Sequence, residues 1–306
     1  MGGRTSRKES LAALASAWEA GITLYDTARS YGYGQSEGLL GEFFRGKRDS
    51  VVLCTKFGIL PTHTRGWKQR LKPLARGVLH ACPGLRAAVR RQLGDQFLAG
   101  QFTVAAMESS LEVSLRELKT DYVDLLLLHA APAEVLEQDD LLAAMERLVS
   151  AGKVRLAGIS ADSSVIELYF KQRPRGLDTA QFSLNISNMQ FAETTKDNDD
   201  LLLVANHPYG GPSGIGRTKA IVAQLRDSTG LTAELREKLD PRDPQLLPEL
   251  VLNCILDGTG VDAVVPAMMQ KKHLEANVRA LESCRFSAPD LALIRSRLAQ
   301  KPERSS

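Results

Sequence analysis

Four side chains could do proton chemistry together: Asp26, Tyr31, Lys56 and His129. A phenol is a weak acid at neutral pH, with an ordinary pKa of about 10, so a tyrosine used as a proton donor needs its phenolate stabilised. An ammonium beside it does this by Coulomb attraction. A buried lysine in turn needs a counter-ion to stay charged, which an aspartate supplies. A histidine next to the phenol can hydrogen-bond an incoming carbonyl oxygen or share the proton. Such a set protonates an oxyanion as it forms. Taken singly, each residue has an ordinary role: Asp26 as a cap, Tyr31 as a loop aromatic, Lys56 as an exposed strand end, His129 as a core group. The combination points to chemistry because all four fall at or just after the ends of short apolar runs.

Those runs alternate with longer amphipathic ones, the pattern of βα units around a parallel sheet. Strands are predicted over 22–26, 51–56, 122–129, 154–160, 177–182, 201–206 and 261–265. Helices are predicted over 9–20, 36–44, 103–119, 139–151, 163–171, 215–227, 245–257 and 271–282, with Gly152 and Gly258 as stop signals. A closed (β/α)8 TIM barrel and an open doubly wound sheet both fit this order. The barrel is favoured because polar residues end many strands: Asp26, Lys56, His129, Ser160, Gln181 and Asn206. An open sheet would gather them at one switch point, and no Gly-x-Gly-x-x-Gly follows a strand to open a helix. One domain over 1–306 is expected, interrupted by an insertion at about 57–102 that is too long for a βα loop. Its basic, semi-apolar pieces LKPLARGVLH and GLRAAVRRQLG read either as a lid or as a solvated excursion. The polar stretch 192–200 reads as an ordinary loop.

Composition narrows the function classes. Lys plus Arg total 39 against 36 for Asp plus Glu, too balanced for nucleic acid or an anionic membrane as the main partner. Cys54, Cys82, Cys254 and Cys284 form neither a Cys-x-x-Cys pair nor a metal-ligand spacing with histidine, and the five histidines include no pair at ligand spacing. No metal site is expected, and the thiols fit a reducing cytoplasm. The start MGGRTSRKES has no apolar h-region, and no run of eighteen apolar residues occurs.

The sequence resembles the aldo-keto reductases along GITLYDTARSYGYGQSE (21–37) with Leu40-Gly41, TKFG (55–58), SSLEVSLREL (109–118), DYVDLLLLH (121–129) and GKVRLAGIS (152–160). The likeness runs from about residue 8 to residue 283, the insertion apart. It implies a (β/α)8 barrel that binds NADPH, with NADH possible, across the C-terminal face. The implied reaction is reversible hydride transfer to the carbonyl of a small aldehyde or ketone. Carried over, Tyr31 is the general acid, Lys56 lowers its pKa, Asp26 partners the lysine and His129 orients the carbonyl. Ser160 and Gln181 match the groups that hold the nicotinamide carboxamide, and Asn206 matches the position facing the nicotinamide ring. Residues 266–277 match the adenosine-phosphate end, with His273 near the phosphate and Asn277 at the adenine.

The chain departs from the family pattern at several of these points. Ala161 stands where Asn is common, and Asn206, followed by His207 and Pro208, stands where many members carry a stacking Tyr. Ala267 and His273 replace the usual Lys and Arg, leaving Lys271, Lys272 or His273 as substitute cations. Only MGGRTS precedes the first helix, so the first strand is expected to be missing or truncated, with two unpaired edges. The expectation is a start downstream of the ancestral one, or a gap filled by another segment or subunit. These departures motivate a competing reading: a nucleotide-binding regulatory or interaction protein on the same barrel, with weak catalysis or none.

Overall fold

The run VDLLLLH at 123–129 is buried at every position except its terminal histidine. A strand so uniformly apolar must be covered on both faces, as parallel strands beneath crossover helices are. The computed structural model describes residues 5–61, 97–98, 100–211 and 214–300. In chain order its strands are β1 (Leu24–Asp26), β2 (Val52–Phe57), β3 (Leu60–Pro61), β4 (Phe97–Leu98), β5 (Val123–His129), β6 (Val154–Ser160), β7 (Thr179–Ser183), β8 (Leu202–Asn206) and β9 (Ala263–Val265). Seven of them form one parallel sheet in the order β1-β2-β5-β6-β7-β8-β9, a nearly closed barrel with helices around it. The seven expected strands are all present in the expected order. Those at 22, 177 and 261 begin two residues later than expected, at Leu24, Thr179 and Ala263.

Alternation along the strands sorts their side chains. Leu24, Val52, Cys54, Leu125, Leu127, Leu156 and Leu202 meet inside the barrel. Their neighbours Tyr25, Leu53, Phe57, Leu126, Leu128, Ile159 and Leu203 join the larger core between strands and helices. Continuing the inner parity by two residues reaches Asp26, Lys56 and His129, and by four residues from Leu202 reaches Asn206. The same two-residue step that fills the core therefore aims these polar groups into the mouth.

The flanking helices carry their own start signals. Arg7–Glu19 opens with a capping box in which the Ser6 hydroxyl accepts from the Glu9 N–H and the Glu9 carboxylate accepts from the Ser6 N–H. Ala288–Ala299 opens with the same device, Ser287 with Asp290; this helix and Ala233–Lys238 were not among the sequence expectations. The stretch 192–200 is more anchored than the ordinary loop expected of it. A 3-10 turn covers Met189–Thr194, and Thr195 and Asn198 behind it are buried and hydrogen-bonded.

The expected 57–102 insertion begins and ends in an antiparallel pair, β3 with β4, and the Phe57 and Phe102 rings pack edge-on at 5.8 Å across its base. The rest of the insertion, and the lid reading with it, lies outside the described residues. Among the described residues β1 pairs only with β2 and β9 only with β8. No described helix is long and apolar enough to cross a membrane.

Candidate functional site

Lys56 is completely buried near the C-terminal end of β2, and its ammonium donates to Asp26 Oδ1 at 2.5 Å and to the Thr27 carbonyl at 3.0 Å. An unpaired ammonium here would cost several kcal/mol. Burial pulls the Lys56 pKa down, but Asp26, Cys54 and Tyr31 together outweigh it and the net shift is upward. The lysine stays charged through the physiological range.

Tyr31 opens the 3-10 turn Tyr31–Gly34, in which Gly32 and Tyr33 both take left-handed backbone angles, φ 61 and 57. This turn presents the phenol to the lysine: Lys56 Nζ lies 5.0 Å from the ring centroid. The His129 ring stands edge-on to Tyr31, centroids 5.8 Å apart. Burial raises the Tyr31 pKa; Lys56 pulls it back, Asp26 adds to the rise, and the net is upward. Lys56 thus acts in the expected direction but does not win. His129 moves the other way, to about 4, because burial and then the Lys56 charge disfavour the imidazolium more than Asp26 favours it. It is neutral at pH 7, and its Nδ1 is buried without a hydrogen-bond partner.

Ser160 and Gln181 are register neighbours on β6 and β7. The two strands approach so closely that a Cβ at Gly158 would lie 2.1 Å from the Thr179 carbonyl oxygen, so only glycine fits there. The Ser160 hydroxyl donates to Gln181 Oε1 at 2.9 Å, and Gln181 Nε2 donates across the barrel to Asp26 Oδ1 at 3.0 Å. One carboxylate oxygen therefore joins the lysine to the amide. Asn206, at the end of β8, has a buried Oδ1 with no partner. Just beyond it His207 turns the chain with φ 51.

The remaining candidates form a separate group on the helix Lys271–Glu282. Asn277 is buried, and its Oδ1 accepts from the Tyr209 hydroxyl at 2.7 Å. Lys271, Lys272 and His273 are exposed in the first turn, with Lys271 paired to Glu275 at 3.6 Å.

Sequence reasoning missed two neighbours of the site. Tyr209 carries no signal, since its contact spans 68 residues. Cys54 was legible by parity: it lies two residues before Lys56, and its buried thiol is pushed well up by burial and then by the Asp26 charge. Among the described residues no cluster of three or more His, Cys, Asp or Glu could hold a metal ion.

A family model described as the Aldo/keto reductase family matches residues 1–299. The chain belongs to that family. Among its relatives is the aldo-keto reductase YhdN of Bacillus subtilis (strain 168), 30% identical over 204 residues, covering 65% of this chain and 51% of that protein. Another is the methylglyoxal reductase YeaE of Escherichia coli (strain K12), 33% identical over 156 residues, covering 51% of this chain and 40% of that one. The chain spans about half, or less, of the length of these curated relatives. In three dimensions it is similar to an aldo-keto reductase from Klebsiella pneumoniae solved in complex with NADPH, with TM-score 0.64 and 24% identity over 100% of this chain and 90% of that one. A Klebsiella aldo/keto reductase in complex with NADP and acetate gives TM-score 0.63 and 25% identity, over 99% and 90% of the two chains. The likeness to these barrels extends over nearly the whole chain.

Proposed function

We propose that this aldo/keto reductase is a single-barrel enzyme that uses NADPH, with NADH as the alternative, to reduce a small aldehyde or ketone or to oxidise the matching alcohol. The observation that carries this reading is the buried Lys56–Asp26 pair with Tyr31 and His129 set against it. Bound at the mouth, the nicotinamide would supply or accept the hydride.

The chain's own residues fit such a cofactor. The unpartnered Oδ1 of Asn206 is an acceptor waiting for a donor, which a carboxamide NH₂ would satisfy beside Ser160 and Gln181. At the far end Tyr209 occupies Asn277 Oδ1, so the Asn277 amide is left to donate to an adenine nitrogen. Lys271 and Lys272 put positive charge at a helix N-terminus, with His273 beside them as a further donor, which suits an adenosine phosphate and weighs toward NADPH. The Klebsiella complexes with NADP and NADPH, and the name of the E. coli methylglyoxal reductase, support the cofactor and substrate classes.

Tyr31 is protonated at neutral pH and donates that proton to the carbonyl oxygen as charge builds there. Lys56 stabilises the phenolate left behind, and Asp26 keeps Lys56 charged. Neutral His129 is best protonated on Nε2, because a bare lone pair is the cheaper group to bury at the unpartnered Nδ1. Nε2–H is then free to hold the carbonyl oxygen. Substrate choice belongs to the loops around the mouth, including 207–211 ahead of the helix Gly214–Asp227. The free thiols of Cys54, Cys254 and Cys284 fit a cytoplasmic setting.

Titration with NADPH and NADH, followed by a carbonyl panel on the same sample, tests the proposal. Saturable binding with carbonyl-dependent oxidation of the cofactor is expected, tighter for NADPH. Binding without turnover would favour the regulatory reading, and binding of neither nucleotide would sink both.

A further inference from the structure

A second buried ion pair lies just outside the barrel wall beside the candidate site. Glu37, in the first turn of the helix Ser36–Phe43, is only 1% exposed. A carboxylate at a helix N-terminus ordinarily gains from the dipole while facing water. Burial makes it costly unless both oxygens are paired. Here both are: Oε1 accepts from Thr55 Oγ1 at 2.7 Å, and Oε2 accepts from Arg29 Nη1 at 2.9 Å.

The positions of the two donors matter. Thr55 immediately precedes Lys56 on β2, with its side chain on the outer face while the lysine points inward. Arg29 lies two residues before Tyr31. One carboxylate therefore ties the strand that bears the ammonium to the loop that bears the phenol. The same loop is closed elsewhere by the Thr27 hydroxyl donating to Ser36 Oγ at 2.9 Å and by Lys56 donating to the Thr27 carbonyl. The turn needs such bracing. Its backbone runs through three positive φ values, at Gly32, Tyr33 and Gly34, and a non-glycine residue there costs on the order of 1–2 kcal/mol.

We propose that Glu37 is a positioning residue which, held between Arg29 and Thr55, sets the Tyr31 phenol against Lys56 without touching substrate. The proposal rests on the reading of Tyr31 as proton donor. It predicts that kcat depends on the carboxylate and on the Thr55 hydroxyl, while cofactor affinity does not.

The test compares Thr55→Val, Thr55→Ser and Glu37→Gln in the full chain, reading kcat, NADPH Kd by fluorescence titration and the thermal midpoint. Valine keeps the volume of threonine and loses the hydroxyl; serine does the reverse. Thr55→Val is expected to lower kcat about tenfold, and Glu37→Gln by up to about a hundredfold, as small misplacements of reacting groups do. NADPH Kd should stay within about twofold of wild type, and Thr55→Ser should keep most of the turnover. A packing role alone predicts the opposite order, with valine tolerated better than serine, and that order would overturn the proposal. So would wild-type kcat in folded Thr55→Val, even if Glu37→Gln fails to fold. A wild-type protein that binds NADPH but reduces nothing would sink the proposed function, and the positioning role with it.

Discussion

Each end of the barrel holds an aspartate whose carboxylate is largely covered, and the two are finished differently. At the C-terminal end Asp26 accepts from Lys56 and Gln181, with Tyr31 and His129 beside the lysine. At the N-terminal end Asp124 accepts from Arg48 at 2.6 Å, from Arg155 at 2.7 Å and from the Leu53 N–H at 2.8 Å. Both guanidinium groups there lie over the Tyr122 ring, 3.9 and 4.5 Å from its centroid. Arg48 further donates to Thr120 and to the carbonyls of Val51 and Tyr122. Two planar guanidinium groups, each held by more than one acceptor, make a clasp. The other end uses a lysine, leaves His129 Nδ1 and Asn206 Oδ1 unmatched, and keeps its tyrosine partly exposed. One aspartate sits in a closed clasp and the other lies near unmatched groups on His129 and Asn206, in keeping with the division between the two faces of a barrel.

If that contrast is right, substitutions at the two ends should separate activity from stability. The largest effect is expected from Tyr31→Phe: turnover should fall by about 10²- to 10⁴-fold with the thermal midpoint and NADPH affinity nearly unchanged. Unchanged turnover would remove Tyr31 from the proposed chemistry. Asp124→Ala should do the reverse, costing about 3–5 kcal/mol in denaturant unfolding while kcat per folded molecule holds, because it strands Arg48 among buried neighbours. A larger stability loss in Tyr31→Phe than in Asp124→Ala would break the comparison.

His129 gives a pH-dependent version of the same test. Its folded pKa of about 4 lies below the ordinary 6.5, so its neutral form contributes stability that is fully present above pH 6.5. That contribution is lost as pH falls toward 4, to a total of roughly 3 kcal/mol at most. His129→Phe should flatten this part of the stability profile, measured by urea unfolding at pH 7 and pH 4.5. Equal slopes in the two proteins would mean that the imidazole is not held neutral. Arg155→Met should have the smallest effect, under about 1 kcal/mol, because the Arg155 side chain is 62% exposed. A larger loss would show that the clasp depends on its outer arginine as much as on Arg48.

The barrel was legible because strands that are buried on both faces leave short apolar runs, and seven of these stand in order. Asp26, Lys56 and His129 were legible because they end such runs, where parity decides which way they face. The links that make them a site were not. Gln181 reaches Asp26 across 155 residues and Tyr209 reaches Asn277 across 68, both set by how the sheet curls. The net direction of the Tyr31 pKa was also hidden, since it depends on how far burial exceeds the pull of Lys56. The helix Ala288–Ala299 carried a readable Ser-x-x-Asp start. The anchoring of 192–200 rests on hydrogen bonds such as Thr195 to the Thr259 carbonyl, which local polarity cannot reveal.

Strand β1 has three residues and, among the described residues, a single ladder partner. Asp26 at its tip is also riveted to Lys56 on β2 and to Gln181 on β7. The carboxylate proposed to serve the reaction therefore also ties this short strand to two others. Selection on turnover and selection on an intact barrel act here on one oxygen atom, so the loss-of-function alleles expected at position 26 would be pleiotropic by construction.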